Sequence, residues 1–146
     1  MSTQIAADVV SVAPRLHRAI ERRAAADITL PKPPEVQLGA VRLLREQPGL
    51  TIRELASALQ LKQGNASALV TTMVTAGMLR KEQDPSDRRV TRVYLTDAEL
   101  GRVEQVDAVF TGYVDAALAT LTAEQRAAIR AALPALDALA RSIRDH

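Results

Sequence analysis

The sequence predicts a mainly α-helical fold that carries one small β-hairpin. Three observations lead there. The 146-residue chain builds its 47% apolar content on Ala, Leu and Val, with one Phe, two Tyr and no Trp, and Ala and Leu are among the best helix formers. Three stretches open with Thr followed three residues later by Glu or Gln, at Thr51–Glu54, Thr96–Glu99 and Thr122–Gln125, the capping-box signature of a helix start. Only Met78–Glu82 and Val90–Leu95 look like strands, the second by its period-two alternation, and the turn-forming Asp84-Pro85-Ser86-Asp87 lies between them.

Composition narrows the function. A chain of this length buries about two-thirds of its unfolded surface, enough for a core of its own. With no cysteine, disulfides, thiol catalysis, thiol-oxidation switching and thiolate metal sites are excluded. The two histidines, His17 and His146, are too few and too far apart for a zinc site, so neither metal nor cofactor is expected. No Gly-rich phosphate loop and no paired-carboxylate motif is present, which leaves nothing to perform acid–base chemistry, and an enzyme is not expected. No run approaches the ~18 apolar residues of a membrane span, and the N-terminus lacks a secretory pattern. A cytoplasmic protein without membrane contact is the expectation. Net charge is only +2, yet residues 35–95 hold nine Lys/Arg against six Asp/Glu while the remainder holds ten against eleven. The positive excess sits in the middle of the chain.

Taken in order, residues 1–27 are helical, with Val9, Val12, Leu16 and Ile20 forming one apolar stripe. Pro14 either kinks that helix or stands in the first turn of one that starts near Ser11. Arg15, Arg18, Arg22 and Arg23 lie largely off the stripe, as a solvated face or as phosphate contacts. Pro31, Pro33 and Pro34 make a stiff connector, since each proline moves its predecessor out of the α region. A helix over about residues 35–47 presents Val36, Ala40, Leu43 and Leu44, then stops at Pro48-Gly49. The capped helix from Thr51 buries Ile52, Leu55, Ala56 and Leu59. A turn at Leu61 leads to a helix over about residues 63–76, with Ala66, Leu69, Val70 and Met73 inward and Gly77 as its stop.

The other face of that second helix reads Lys62, Gln63, Gly64, Asn65, Ser67, Ala68, Thr71 and Thr72. It is short, polar and uncharged after Lys62, where an ordinary surface helix would pair Glu with Lys at i,i+4. Such groups suit a major groove, in which Asn or Gln reads adenine, Ser and Thr bond either base type, and methyls pack on thymine. The plainer alternative is a set of poor helix formers tolerated on an exposed face. The hairpin carries Arg80, Lys81, Arg88, Arg89 and Arg92, offset by Glu82, Asp84 and Asp87. An arginine at its tip would reach a neighbouring minor groove or its phosphates, and Asp87 is the expected partner of an arginine guanidinium, bracing the loop. The fold class that results is α+β, a winged helix-turn-helix flanked by N- and C-terminal dimerisation helices.

Those flanking helices account for the rest. Val103, Val106, Phe110, Tyr113 and Ala117 are spaced like a coiled-coil seam, and Ile129, Leu133, Leu136, Ala140 and Ile143 repeat it. Pro134 kinks the last helix, at about 3 kcal/mol, unless the helix divides there. More apolar surface is offered than one small head requires, and a dimer is the economical reading, with Val9, Val12, Leu16, Phe110, Tyr113, Leu136 and Ile143 at its interface. The expected division is 1–34 for an N-terminal dimerisation helix and connector, 35–96 for the winged head and 97–146 for C-terminal dimerisation helices.

The stretch from Thr51 to Gly101 resembles the MarR family of bacterial winged-helix transcriptional regulators. The resemblance rests on the capped TIRELA helix, the turn Ala58-Leu59-Gln60-Leu61, the helix ending TTMVTAGMLRKE and, most specifically, DPSDRRVTRVYLT, whose D-P-x-D-R-R before a strand and Leu-Thr is like the family's wing. It implies a homodimeric regulator that places the helix after Leu61 in the major groove of a pseudo-palindromic operator of double-stranded DNA, with the wing in the adjacent minor groove. By that analogy Arg89 makes the wing-tip contact and Asp87 braces the wing. Thr51, Lys62, Gln63, Asn65, Ser67, Ala68, Thr71, Thr72, Arg80, Arg88 and Arg89 become the DNA-binding set. The sequence departs from the family pattern at Ala68, where many members carry an arginine, and at Lys62, where a Ser or Thr cap is common. Members often bind small aromatic acids or phenols between dimer helices and head, and His17 is the candidate ligand contact. The expected function is a DNA-binding regulator, as a repressor released by such a ligand. A winged-helix module that binds protein instead of DNA is the alternative.

Overall fold

The computed structural model describes residues 2–28 and 32–144, so that Pro31 of the connector and His146 lie outside the described residues. Six helices and three short strands follow in the order α1 Ser2–Ala24, α2 Glu35–Glu46, β1 Leu50–Thr51, α3 Ile52–Ala58, α4 Gln63–Thr75, β2 Leu79–Gln83, β3 Thr91–Leu95, α5 Asp97–Ala119 and α6 Ala123–Arg144. Two compact units result, one of Ile28–Asp107 and one of residues 1–27 with 108–146; α5 contributes to both. None of the described helices is long and apolar enough to cross a membrane.

The first of these units is the winged helix-turn-helix. Its sheet is antiparallel in the order β1-β3-β2, with Leu79 opposite Leu95, Lys81 opposite Val93 and Leu50 opposite Val93 on the other edge. The hairpin was legible in the sequence, whereas two-residue β1 was not: it is too short to show alternation. The core draws Ala40, Val41 and Leu44 from α2, Leu55 from α3, Leu69, Val70 and Met73 from α4, Leu79 from β2, and Val93 and Leu95 from β3. Val36, expected on the inner face of α2, is exposed, and Val41 is buried instead. Val103 packs partly buried against this core, so the start of α5 serves the head before any seam begins.

Local chemistry sets each boundary. Thr51 caps α3 with a full box: its hydroxyl accepts from the Glu54 amide at 3.2 Å while the Glu54 carboxylate accepts from the Thr51 amide at 2.7 Å. Both helices of the pair end in Schellman turns. At the end of α3 the Leu61 amide donates to the Ala56 carbonyl and that of Gln60 to Ser57, with Gln60 at φ 54°. At the end of α4 the Met78 amide donates to Met73 and that of Gly77 to Val74, with Gly77 at φ 75°. The box expected at Thr96–Glu99 forms only by half. The Thr96 hydroxyl accepts from the Glu99 amide at 3.2 Å, but the Thr96 amide donates to the Met78 carbonyl, so Glu99 has no amide to cap. Its buried carboxylate instead receives two bonds from Arg102, at 2.6 and 3.0 Å. The Thr122–Gln125 box is complete.

In the second unit α1 begins at Ser2, so Pro14 lies in its interior and not in a first turn near Ser11. Likewise α6 runs through Pro134 without dividing, and none of its residues is buried. Arg23 lies over the Tyr113 ring at 5.3 Å from its centroid and remains exposed.

Candidate nucleic-acid interface

The face of α4 opposite the core stands free. Gln63, Gly64, Asn65, Ser67, Ala68, Thr71 and Thr72 are all exposed, while Ala66, Leu69, Val70 and Met73 are buried. Lys62, at the N-cap, makes no side-chain cap, and the first intrahelical bond runs from Ala66 to its carbonyl. The amides of the first turn therefore meet solvent at the positive end of the helix. Thr71 is less versatile than its sequence position implied, because its hydroxyl donates to the Ser67 carbonyl at 3.0 Å. It keeps a methyl and acceptor capacity. Thr51 spends its hydroxyl on the Glu54 cap.

The wing is a fixed loop with two free cations. Asp84 accepts from the Ser86 amide at 2.8 Å and the Asp87 amide at 3.3 Å, and its own amide donates to the Val90 carbonyl. Asp87 accepts from the Arg89 amide at 3.0 Å, and its carbonyl accepts from the Val90 amide. Asp87 thus braces the loop through backbone donors, not through the guanidinium expected of it. That partnership belongs to Asp84, which receives the Arg92 Nε at 2.5 Å. Arg92 also donates through Nη1 to the Gly49 carbonyl at 2.8 Å, tying the wing loop to the connector between α2 and β1. Asp84 points inward and leaves 13% of its side chain exposed, whereas Arg88 and Arg89 are exposed and form no side-chain bond among the described residues.

The electrostatics follow from these contacts. The Arg92 guanidinium, with help from the Ser86 and Asp87 amides, holds the Asp84 carboxyl below the ordinary carboxylate value, and the same pair raises Arg92. The Thr51 amide and hydroxyl hold Glu54 down in the same way. Arg80, expected at the interface, pairs with Glu82 and lies over the Tyr94 ring at 4.8 Å, with 46% of its side chain still exposed. Tyr94 in turn packs on Gly49, whose φ of 84° and missing Cβ let the ring approach. The roles of Asp84, Arg92, Gly49 and Tyr94 were missed in the sequence; the period-two register that sets Arg92 beside Thr51 on β1 was the only signal. His17 lies 3.4 Å from Glu21 and is half exposed.

An exposed helix of short polar groups, ending in a tight turn that leads into a braced two-stranded wing, defines a winged helix-turn-helix. Residues 34–91 match the model of the MarR family, so the likeness to that family is carried by the winged-helix segment. Solved structures agree over the whole fold. A transcriptional regulator from Thermotoga maritima superposes with a TM-score of 0.74 at 17% identity, covering 98% of this chain and 99% of its own. A MarR family protein from Bacillus stearothermophilus gives 0.72 at 19% identity, with 97% and 99% covered. S. aureus MepR bound to ethidium bromide gives 0.66 at 19% identity, with 88% and 94% covered, and a MepR mutant bound to an oligodeoxyribonucleotide gives 0.59 at 20%, with 92% and 96% covered. No curated protein matches the chain.

Proposed function

We propose that the chain is a homodimeric repressor that binds a pseudo-palindromic operator and leaves it when a small aromatic or phenolic ligand binds. The observation that carries the reading is the pairing of an uncharged, exposed α4 face with a wing whose loop is locked by Asp84 and Asp87 while Arg88 and Arg89 stay free. A rigid hairpin with unpaired cations is suited to phosphates and a minor groove, and short side chains to base edges. Arg92 is a positioning residue: it fixes the loop and leaves the tip to its neighbours.

Dimerisation is supported by α1 and α6. Val12, Leu16, Leu133, Leu136 and Ile143 are exposed, and apolar surface on this scale marks an interaction site. We assign residues 1–34 and 97–146 to that role, with the start of α5 also serving the core of the head, and 35–96 to the DNA. Ligand release rests on the likeness to MepR, which has been solved with ethidium bromide.

Anisotropy titration of a labelled, non-specific duplex tests the reading at its base. The account expects binding near 50 mM salt that weakens steeply toward 200 mM, as released counterions dictate. A protein-binding module would leave the label untouched at either salt.

A further inference from the structure

We infer that the operator half-site is read as A·T, in the major groove under α4 and again in the minor groove under the wing. The inference rests on the DNA-binding reading above and deepens it. In the major groove guanine offers only acceptors, at N7 and O6, and its usual partner is a forked donor from Arg or Lys. From Gln63 to Thr75 α4 holds no charged residue, and the exposed Lys62 at its N-cap is a point charge suited to a phosphate, not a fork that grips a guanine edge. Thr71 has no donor to offer a guanine, because its hydroxyl proton lies on the Ser67 carbonyl.

What the exposed face does present matches the other base pair. Gln63 and Asn65 stand in the first turn, the part of a recognition helix that meets base edges, and each carries the amide that pairs bidentately with adenine N6 and N7. Ala68 and the Thr71 methyl provide apolar contacts for a thymine methyl. The wing adds an independent preference. Its free guanidinium groups, Arg88 and Arg89, are attracted most strongly to a narrow minor groove, and A-tracts are narrow there. Two elements with different chemistry therefore favour the same sequence.

Selection from a random duplex library with the full-length chain tests this. The expected product is a pseudo-palindrome with A·T at the core of each half-site and A·T runs flanking it. Replacing one core A·T by G·C should weaken binding by roughly 5- to 150-fold. Two exposed positions give sharper readings. A68R, which adds a forked donor, should bring a guanine into one position of each half-site, and N65A should erase the adenine preference at one position while the rest of the motif persists. Wild-type enrichment of G·C cores, or an A68R motif identical to the wild type, overturns the inference and leaves DNA binding intact. Failure to enrich any duplex at low salt overturns the DNA-binding reading and the inference with it.

Discussion

Substituting Arg102 by Met isolates the one buried carboxylate of the head. Glu99 is 4% exposed and its partners are the Nε and Nη2 of Arg102, at 3.0 and 2.6 Å. R102M deletes both bonds and strands a charge. Breaking a buried pair in this way costs about 3–5 kcal/mol. The Arg102 side chain is 24% exposed, so water enters the vacated space and the low end, about 3 kcal/mol, is expected. Domains are stable by only about 5–15 kcal/mol, so a urea titration followed by circular dichroism resolves the loss easily. Protein concentration is held fixed because any subunit association would add to apparent stability. The double variant E99M/R102M removes the charge together with its partner and should return to within about 1 kcal/mol of the wild type, since apolar replacement of a buried pair is often neutral. If R102M alone loses less than about 1 kcal/mol, or the double variant is no better than the single, the pair is not a buried, mutually dependent one.

Three further outcomes follow from the wing and its footing. G49A should lose about 2–4 kcal/mol in the same titration, because φ 84° is strained for any Cβ and the added atom would stand 2.9 Å from the Tyr94 hydroxyl. Acid should loosen the wing: Asp84 has a lowered folded value, so its contribution is complete above the ordinary carboxylate range and is lost as pH falls through that folded value. Hydrogen exchange at the Ser86 and Asp87 amides should show that loss, and D84N should abolish its pH dependence. R89A should weaken duplex binding roughly tenfold with the dimer and the helical circular dichroism unchanged; unaltered affinity would take the wing tip out of the mechanism.

The sequence disclosed elements wherever a local rule governs them. Thr51 with Glu54, Gly77 after α4, and the apolar positions of α3 and α4 all act within a turn or two of themselves, and each stands where it was expected. Tertiary competition explains the departures. The Thr96 amide is claimed by the Met78 carbonyl, 18 residues away, which frees Glu99 to bind Arg102. Asp87 and Asp84 both sit in the loop, but the alternation of β3 leaves Arg92 on the side that meets Asp84 and Gly49. Pro14 and Pro134 are tolerated inside long helices, which a count of breakers does not foretell. The polar positions expected on α4 are exposed, while Thr51 also bonds Glu54 and Arg80 also meets Glu82 and Tyr94.

The central claim, that α4 and the braced wing read duplex DNA, is tested most directly by hydroxyl-radical footprinting of the full-length protein on the DNA flanking its own gene. Two protected half-sites about one helical turn apart, 10–10.5 bp between centres, are predicted, with flanking protection that disappears in R88A/R89A while the central protection remains. Absence of any footprint at low salt, or flanking protection indifferent to the loss of both arginines, would contradict the account.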